Sequence, residues 1–188
     1  MRWDRLDREA CSVARTLSVI GDRWTLLVLR EAFLRVRRFE EFERRLGITR
    51  HILAARLKQL VREGVMLRVL YQARPKRYEY RLTQKGLDLH MVLMAMIRWG
   101  DLHMADAQGR PKLFEHRACG HLFDPVLSCS VCHGVVTARD VRVLDGPGAP
   151  QAAGQGSIVH QPRKPQPMGD DIFAQRSRRM RRDRREWE

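Results

Sequence analysis

The sequence predicts a mainly helical α+β fold, and three features between Arg38 and Gly86 predict it. Two short apolar helix patterns lie on either side of a glycine break. Two alternating strand patterns follow, joined by a basic loop. A capped helix then begins at Thr83.

Upstream, Asp22 is placed to cap a helix from Arg23 to about Phe33. Its Trp24, Leu26, Leu27, Val28 and Leu29 are apolar nearly all round, which predicts a buried central helix. Trp24 is assigned to the core, because a large aromatic at a helix start packs against its neighbours more often than it stacks on a ligand. Phe39, Phe42 and Leu46 then fall at the spacings of one helix face, and Gly47 ends that helix with a residue tolerant of positive φ.

Thr49 caps the next helix. There Leu53, Leu57, Leu60 and Val61 share one face, and His51, Ala55, Lys58, Gln59 and Arg62 lie opposite. The outer face is slim at Ala54 and Ala55, while Thr49, Arg50, His51 and Lys58 can donate hydrogen bonds. Those are the requirements for entering a DNA major groove N-terminus first. An amphipathic surface helix is the alternative reading.

In the hairpin, Val65, Leu67 and Val69 alternate with Met66, Arg68 and Leu70, and Tyr78 and Tyr80 alternate with Glu79 and Arg81. The connection from Tyr71 to Arg77 carries Arg74, Lys76 and Arg77 and no carboxylate, a charge concentration suited to phosphate or minor-groove contact. A solvated basic loop is the alternative, but helix, helix and hairpin in this order are the layout of a winged helix-turn-helix.

In the helix that Thr83 caps, Leu87, Leu89, Met91, Val92, Leu93, Met94, Met96, Ile97 and Trp99 spread over more than one face. One core cannot absorb them all, which predicts a dimer interface over residues 83–99. Burial by the downstream segment is the alternative.

After Asp101 the pattern changes. His116, Cys119, Cys129 and Cys132 have the spacing of two metal-ligand knuckles joined by one loop, which predicts a structural Zn²⁺ with His121 and His133 as possible substitutes. The alternative is a small hairpin packed by Leu122, Phe123, Val126, Leu127, Val135 and Val136. From about Asp145 the chain is rich in Gly, Pro and Gln and reads as a disordered linker. It leads to an arm with Arg176, Arg178, Arg179, Arg181, Arg182, Arg184 and Arg185, either a nonspecific phosphate attractor or a solvated terminus.

Lys and Arg number 36 against 22 Asp and Glu, a net charge of +14 that favours a polyanionic partner. Residues 1–106 alone carry 22 basic and 13 acidic side chains, so the excess is not confined to the tail. No apolar run approaches a membrane span, and no apolar core follows the charged N-terminus as in a secretory signal, so the expected location is the cytoplasm, at the nucleoid. There the 4 cysteines are expected as thiols. No Gly-rich phosphate loop, nucleophile elbow or motif-paired carboxylates are present, which disfavours an enzyme.

The runs CSVARTLSVIGDRWTLLVLREAF, RRFEEFERRL, ITRHILAARLKQLVREGV and RYEYRLTQKG with RWGD, in that order from Cys11 to about Asp101, resemble the HxlR-type family of bacterial transcriptional regulators. The resemblance implies a homodimeric winged helix on a palindromic or pseudo-palindromic operator, one recognition helix per half-site. It implies the same pairing of the helix over 83–99 with the partner's N-terminal helix. One departure is Leu34, Arg35, Val36 and Arg37, where family members often have a Gly-Pro turn and a short strand lead, so the exit of the preceding helix is expected to differ.

Cys11 stands at the position of an N-terminal cysteine that many members carry, a thiol that in some is oxidised or alkylated with a change in DNA affinity. Arg8 and Arg15 favour a thiolate there if the site is open. Asp7 and Glu9 oppose it, and a packing cysteine is the alternative. The HRACG and CSVC elements resemble an extension of a subset of the family, not all of whose members have a demonstrated metal.

The expected organisation is therefore a DNA-binding and dimerisation domain over 1–106, a small Cys/His hairpin over 107–144 and a disordered tail over 145–188. The expected function is sequence-specific regulation on double-stranded DNA. A general nucleic-acid binder using the wing and arginine arm, and a zinc-dependent protein adaptor, are the rivals.

Overall fold

A computed structural model of the chain describes residues 3–149. A 3-10 turn over Trp3–Arg8 leads into α1 (Ser12–Ile20), followed by α2 (Arg23–Phe33), α3 (Phe39–Leu46) and α4 (Arg50–Arg62). A hairpin of β1 (Met66–Gln72) and β2 (Arg77–Leu82) follows, then α5 (Gln84–Asp88) and α6 (His90–His103). A second, two-residue hairpin of β3 (Glu115–His116) and β4 (His121–Leu122) lies in the extension. This is the expected α+β winged helix-turn-helix. The expected linker and arginine arm lie, from residue 150 on, outside the described residues.

α2 is the central helix that its sequence predicts. Asp22 caps it by accepting from the Trp24 and Thr25 amides, Val28 and Leu29 are fully buried, and half-buried Trp24 packs on the core. Phe42 from α3, Leu53, Leu57 and Leu60 from α4, and Val65 and Met66 at the root of the hairpin complete that core. Glu31 of α2 is buried but not orphaned, since Arg30 lies 2.7 Å away and Arg45 of α3 3.5 Å away.

The exit of α2 has no glycine, yet its backbone turns left-handed. Arg35 takes φ +67°, its N–H donates to the Ala32 carbonyl and the Val36 N–H donates to the Glu31 carbonyl. That pair of bonds is the Schellman arrangement, which satisfies the last carbonyls of the helix at the cost of a strained arginine. The turn sends Arg37 and Arg38 alongside the hairpin, where the Tyr80 N–H donates to the Arg37 carbonyl and Arg38 bridges to Glu79.

Three local readings are corrected. Alternation in the hairpin does not sort its residues into an inner and an outer face. Val65 and Met66 are both buried, while Leu67 and Leu70 are exposed, because only the root of the wing reaches the helices. Gln59 turns inward, half-buried, with its amide donating to the Val19 carbonyl. The single helix expected from Thr83 to Trp99 is two, since Leu89 breaks the run with its N–H bonded back to the Gly86 carbonyl. Gly86 is pinned at that corner, because a Cβ there would stand 2.2 Å from the Val65 carbonyl oxygen.

The prediction of unabsorbed apolar side chains on this last helix holds in the described chain. Leu93 and Met94 are buried, whereas Met91 is 73% and Trp99 59% exposed, with Met96 and Leu102 also open.

Candidate nucleic-acid interface

The Thr49 hydroxyl accepts from the Ile52 amide and starts α4, and Leu53, Leu57 and Leu60 anchor it against the core. The opposite face presents His51, Ala54, Ala55 and Lys58 to solvent. Methyl groups at Ala54 and Ala55 leave the helix narrow between two hydrogen-bonding side chains, which suits approach to base edges. Thr49 itself is exposed, but its hydroxyl is engaged in the cap.

Arg50 is exposed and already partnered. Its Nη1 donates to Glu43 Oε2 of α3 at 2.8 Å, and its guanidinium lies 4.9 Å from the centre of the Phe39 ring. Arg62 at the far end of α4 is held by Glu63.

At the wing, Arg74, Lys76 and Arg77 are all exposed, and among the described residues none of them forms an ion pair. The amide of Gln72 donates to the Arg74 carbonyl at 2.9 Å and helps fix the turn. Sequence reasoning missed two flanking arginines. Arg68 of β1 lies over the Tyr78 ring at 3.6 Å, and Arg38, just ahead of α3, lies over the Tyr71 ring at 4.9 Å, placing two more cations against the hairpin that carries the turn. The signal was weak, since cross-strand and inter-element pairs depend on register and not on local spacing. Tyr80, part-buried on the same hairpin, has its phenol pKa raised by desolvation, partly offset by Arg68.

Cys11 is exposed at the N-cap of α1 in the described chain and makes no capping bond. Exposed Val13 and Leu17 follow it on the same helix.

The four Cys/His positions come together in two pairs. His116 Nδ1 lies 3.3 Å from Cys119 Sγ. Cys129 and Cys132 form the second pair, in which the backbone N–H groups of Cys132 and Val131 point at the Cys129 sulfur and hold its thiol below the usual range. The two pairs do not meet. Among the described residues, no three His, Cys, Asp or Glu side chains share one metal-sized site. His121 pairs with His116 across the β3–β4 hairpin, and His133 follows Cys132 with φ +58°.

No described helix is long and apolar enough to cross a membrane.

Residues 19–108 match the family model described as HxlR-like helix-turn-helix. Over 140 residues the chain is 46% identical to the uncharacterized HTH-type transcriptional regulator Rv3095 of Mycobacterium tuberculosis, covering 74% of this chain and 89% of that protein. The HTH-type transcriptional regulator YdeP of Bacillus subtilis is 36% identical over 96 residues, half of this chain and 75% of its own length. Among solved structures, the candidate transcription factor PA1607 superposes with a TM-score of 0.66 at 36% identity, covering 73% of this chain and 96% of its own. PA1374 of Pseudomonas aeruginosa, of the same description, gives 0.54 at 37% identity, covering 74% and 94%. The cap, the slim outer face of α4, the exposed basic wing and these likenesses converge, and the chain belongs to the HxlR-like helix-turn-helix family of transcriptional regulators.

Proposed function

We propose that this regulator binds an inverted-repeat operator as a homodimer, each protomer placing α4 in one major groove and its wing on the flanking backbone. One observation carries the reading: His51 and Lys58 lie exposed on the outer face of α4, on a chain whose wing residues Arg74, Lys76 and Arg77 have no acidic partner among the described residues. Thr49, Arg50 and Ala55 complete the reading surface. A groove-reading helix needs a slim donor-bearing face, and a backbone-tracking wing needs unpaired positive charge.

Dimerisation is supported by the apolar face of α6. Met91, Met96, Trp99 and Leu102 are too exposed together for a lone monomer in water, and Val13 and Leu17 of α1 offer a matching apolar stripe. A self-complementary pairing of α1 with the partner's α6 covers both and sets two recognition helices about one turn of DNA apart. Cys11 lies at the start of α1, open to solvent, so we assign it as the thiol whose modification alters that pairing and hence operator affinity. The protein works at the nucleoid in the cytoplasm, and it is not an enzyme.

Selection of bound sequences from a random duplex library tests the reading. Enrichment of one inverted repeat is expected. Retention of all sequences alike would instead indicate a general nucleic-acid binder, and no retention would indicate a protein adaptor.

A further inference from the structure

The extension after α6 has ordered turns and no core. Between residues 105 and 149 no side chain is buried, and Leu122, Val126, Leu127 and Val131 are all exposed. A segment this short gains little order from apolar burial, so its turns depend on polar ties such as the Arg110–Asp124 ion pair or on a bound ion.

Two of those turns are the same structure repeated. In the first, the Gly120 N–H donates to the His116 carbonyl at 2.8 Å, Gly120 takes φ +71°, and β3 pairs with β4 on either side. In the second, the His133 N–H donates to the Cys129 carbonyl at 2.9 Å, His133 takes φ +58°, and Ser128 bridges to Val135 on either side. Each turn thus places two potential ligands three residues apart, follows the second with a left-handed residue, and is clasped by a strand pair. In the first turn the side chains are already adjacent, His116 Nδ1 lying 3.3 Å from Cys119 Sγ. A left-handed, non-glycine His133 is costly unless something fixes the turn.

We propose that His116, Cys119, Cys129 and Cys132 bind one Zn²⁺ in a closed tetrahedral site. Among the described residues no three of these side chains share a site, so binding requires the two turns to move together. Binding replaces the thiol protons with zinc–sulfur bonds and releases those protons to solvent, with no change of oxidation state. Two duplicate knuckles supplying one imidazole and three thiolates match the ligand softness and number of structural zinc. Four protein ligands leave no open position, so the ion supplies no hydrolytic chemistry.

The full chain, purified without added metal, is expected to contain about one zinc per chain by elemental analysis. After chelation, titration with Co²⁺ is expected to give the intense visible bands of a tetrahedral thiolate site, and the segment over residues 113–136 to become sensitive to protease. Cys129→Ser with Cys132→Ser should lose the metal and the bands while still binding DNA, which shows that the variant is folded. His116→Ala should lose stoichiometric zinc, and His121→Ala and His133→Ala should keep it. A zinc-free protein whose Co²⁺ titration shows no tetrahedral bands overturns the proposal. Full zinc retention by His116→Ala overturns this ligand set.

Discussion

Arg50, the first residue of α4, is tied to Glu43 of α3 by a 2.8 Å ion pair, so the leading cation of the recognition helix is engaged before DNA arrives. Both partners are solvent-accessible, and such a pair contributes about 0–1 kcal/mol, small against a charge-assisted bond to DNA. Glu43→Gln is therefore expected to leave stability nearly unchanged and to tighten binding to any duplex, with a steeper salt dependence as Arg50 becomes free. Adding Arg50→Ala should cancel that gain. If the gain persists in the double variant, Glu43 acts by repelling phosphate and not by holding Arg50.

The two tight turns that frame the site should respond oppositely to substitution. Arg35→Gly relieves a left-handed arginine in a turn whose hydrogen bonds need only backbone, and is expected to stabilise by about 1 kcal/mol. Gly86→Ala drives a Cβ toward the Val65 carbonyl at the root of the wing and is expected to cost about 1–3 kcal/mol. Denaturant midpoints measure both. A loss of stability in Arg35→Gly would mean that the arginine side chain contributes more than its backbone costs.

The apolar face of α6 predicts its own test. Met91→Glu with Trp99→Glu places two charges where the partner's α1 should pack, on side chains 73% and 59% exposed in the single chain. Light scattering should show the mass fall from dimer to monomer, with helical content retained. Operator affinity should fall with it, because two half-sites no longer bind together. An unchanged dimeric mass would place the interface elsewhere.

Cys11 is open to reagent, with Arg8 and Arg15 nearby in sequence. Alkylating or oxidising agents should shift operator affinity in the wild type and leave Cys11→Ser unmoved. The Cys129→Ser, Cys132→Ser variant provides the control. If the response follows those thiols instead, the extension is the sensor.

Much of this site was legible because its determinants are local. Asp22 and Thr49 announce their helices by capping, Gly47 ends one by positive φ, and the spacing of Leu53, Leu57 and Leu60 fixes which face of α4 points outward. The wing loop declares itself by charge alone. What was not legible depends on partners far along the chain. Gln59 looked like a surface residue until the Val19 carbonyl, 40 residues away, took its amide. Arg35 carried no sign of a left-handed backbone, since the requirement comes from where the chain after α2 must go. The exposure of Leu67 was not legible either, because alternation cannot reveal how far a strand extends beyond the helices that would cover it. The break at Leu89 escaped for the same kind of reason, as no glycine or proline marks it.

The division of labour between α4 and the wing is tested most directly by titrating operator and random DNA across salt concentrations with two sets of variants. His51→Ala and Lys58→Ala should each cost about 1–3 kcal/mol on the operator and much less on random DNA. Arg74→Ala, Lys76→Ala and Arg77→Ala should weaken both alike and flatten the salt dependence by about one charge each. If the α4 variants weaken operator and random DNA equally while the wing variants alone erase the discrimination, α4 is not the reading element and the account of this site is wrong.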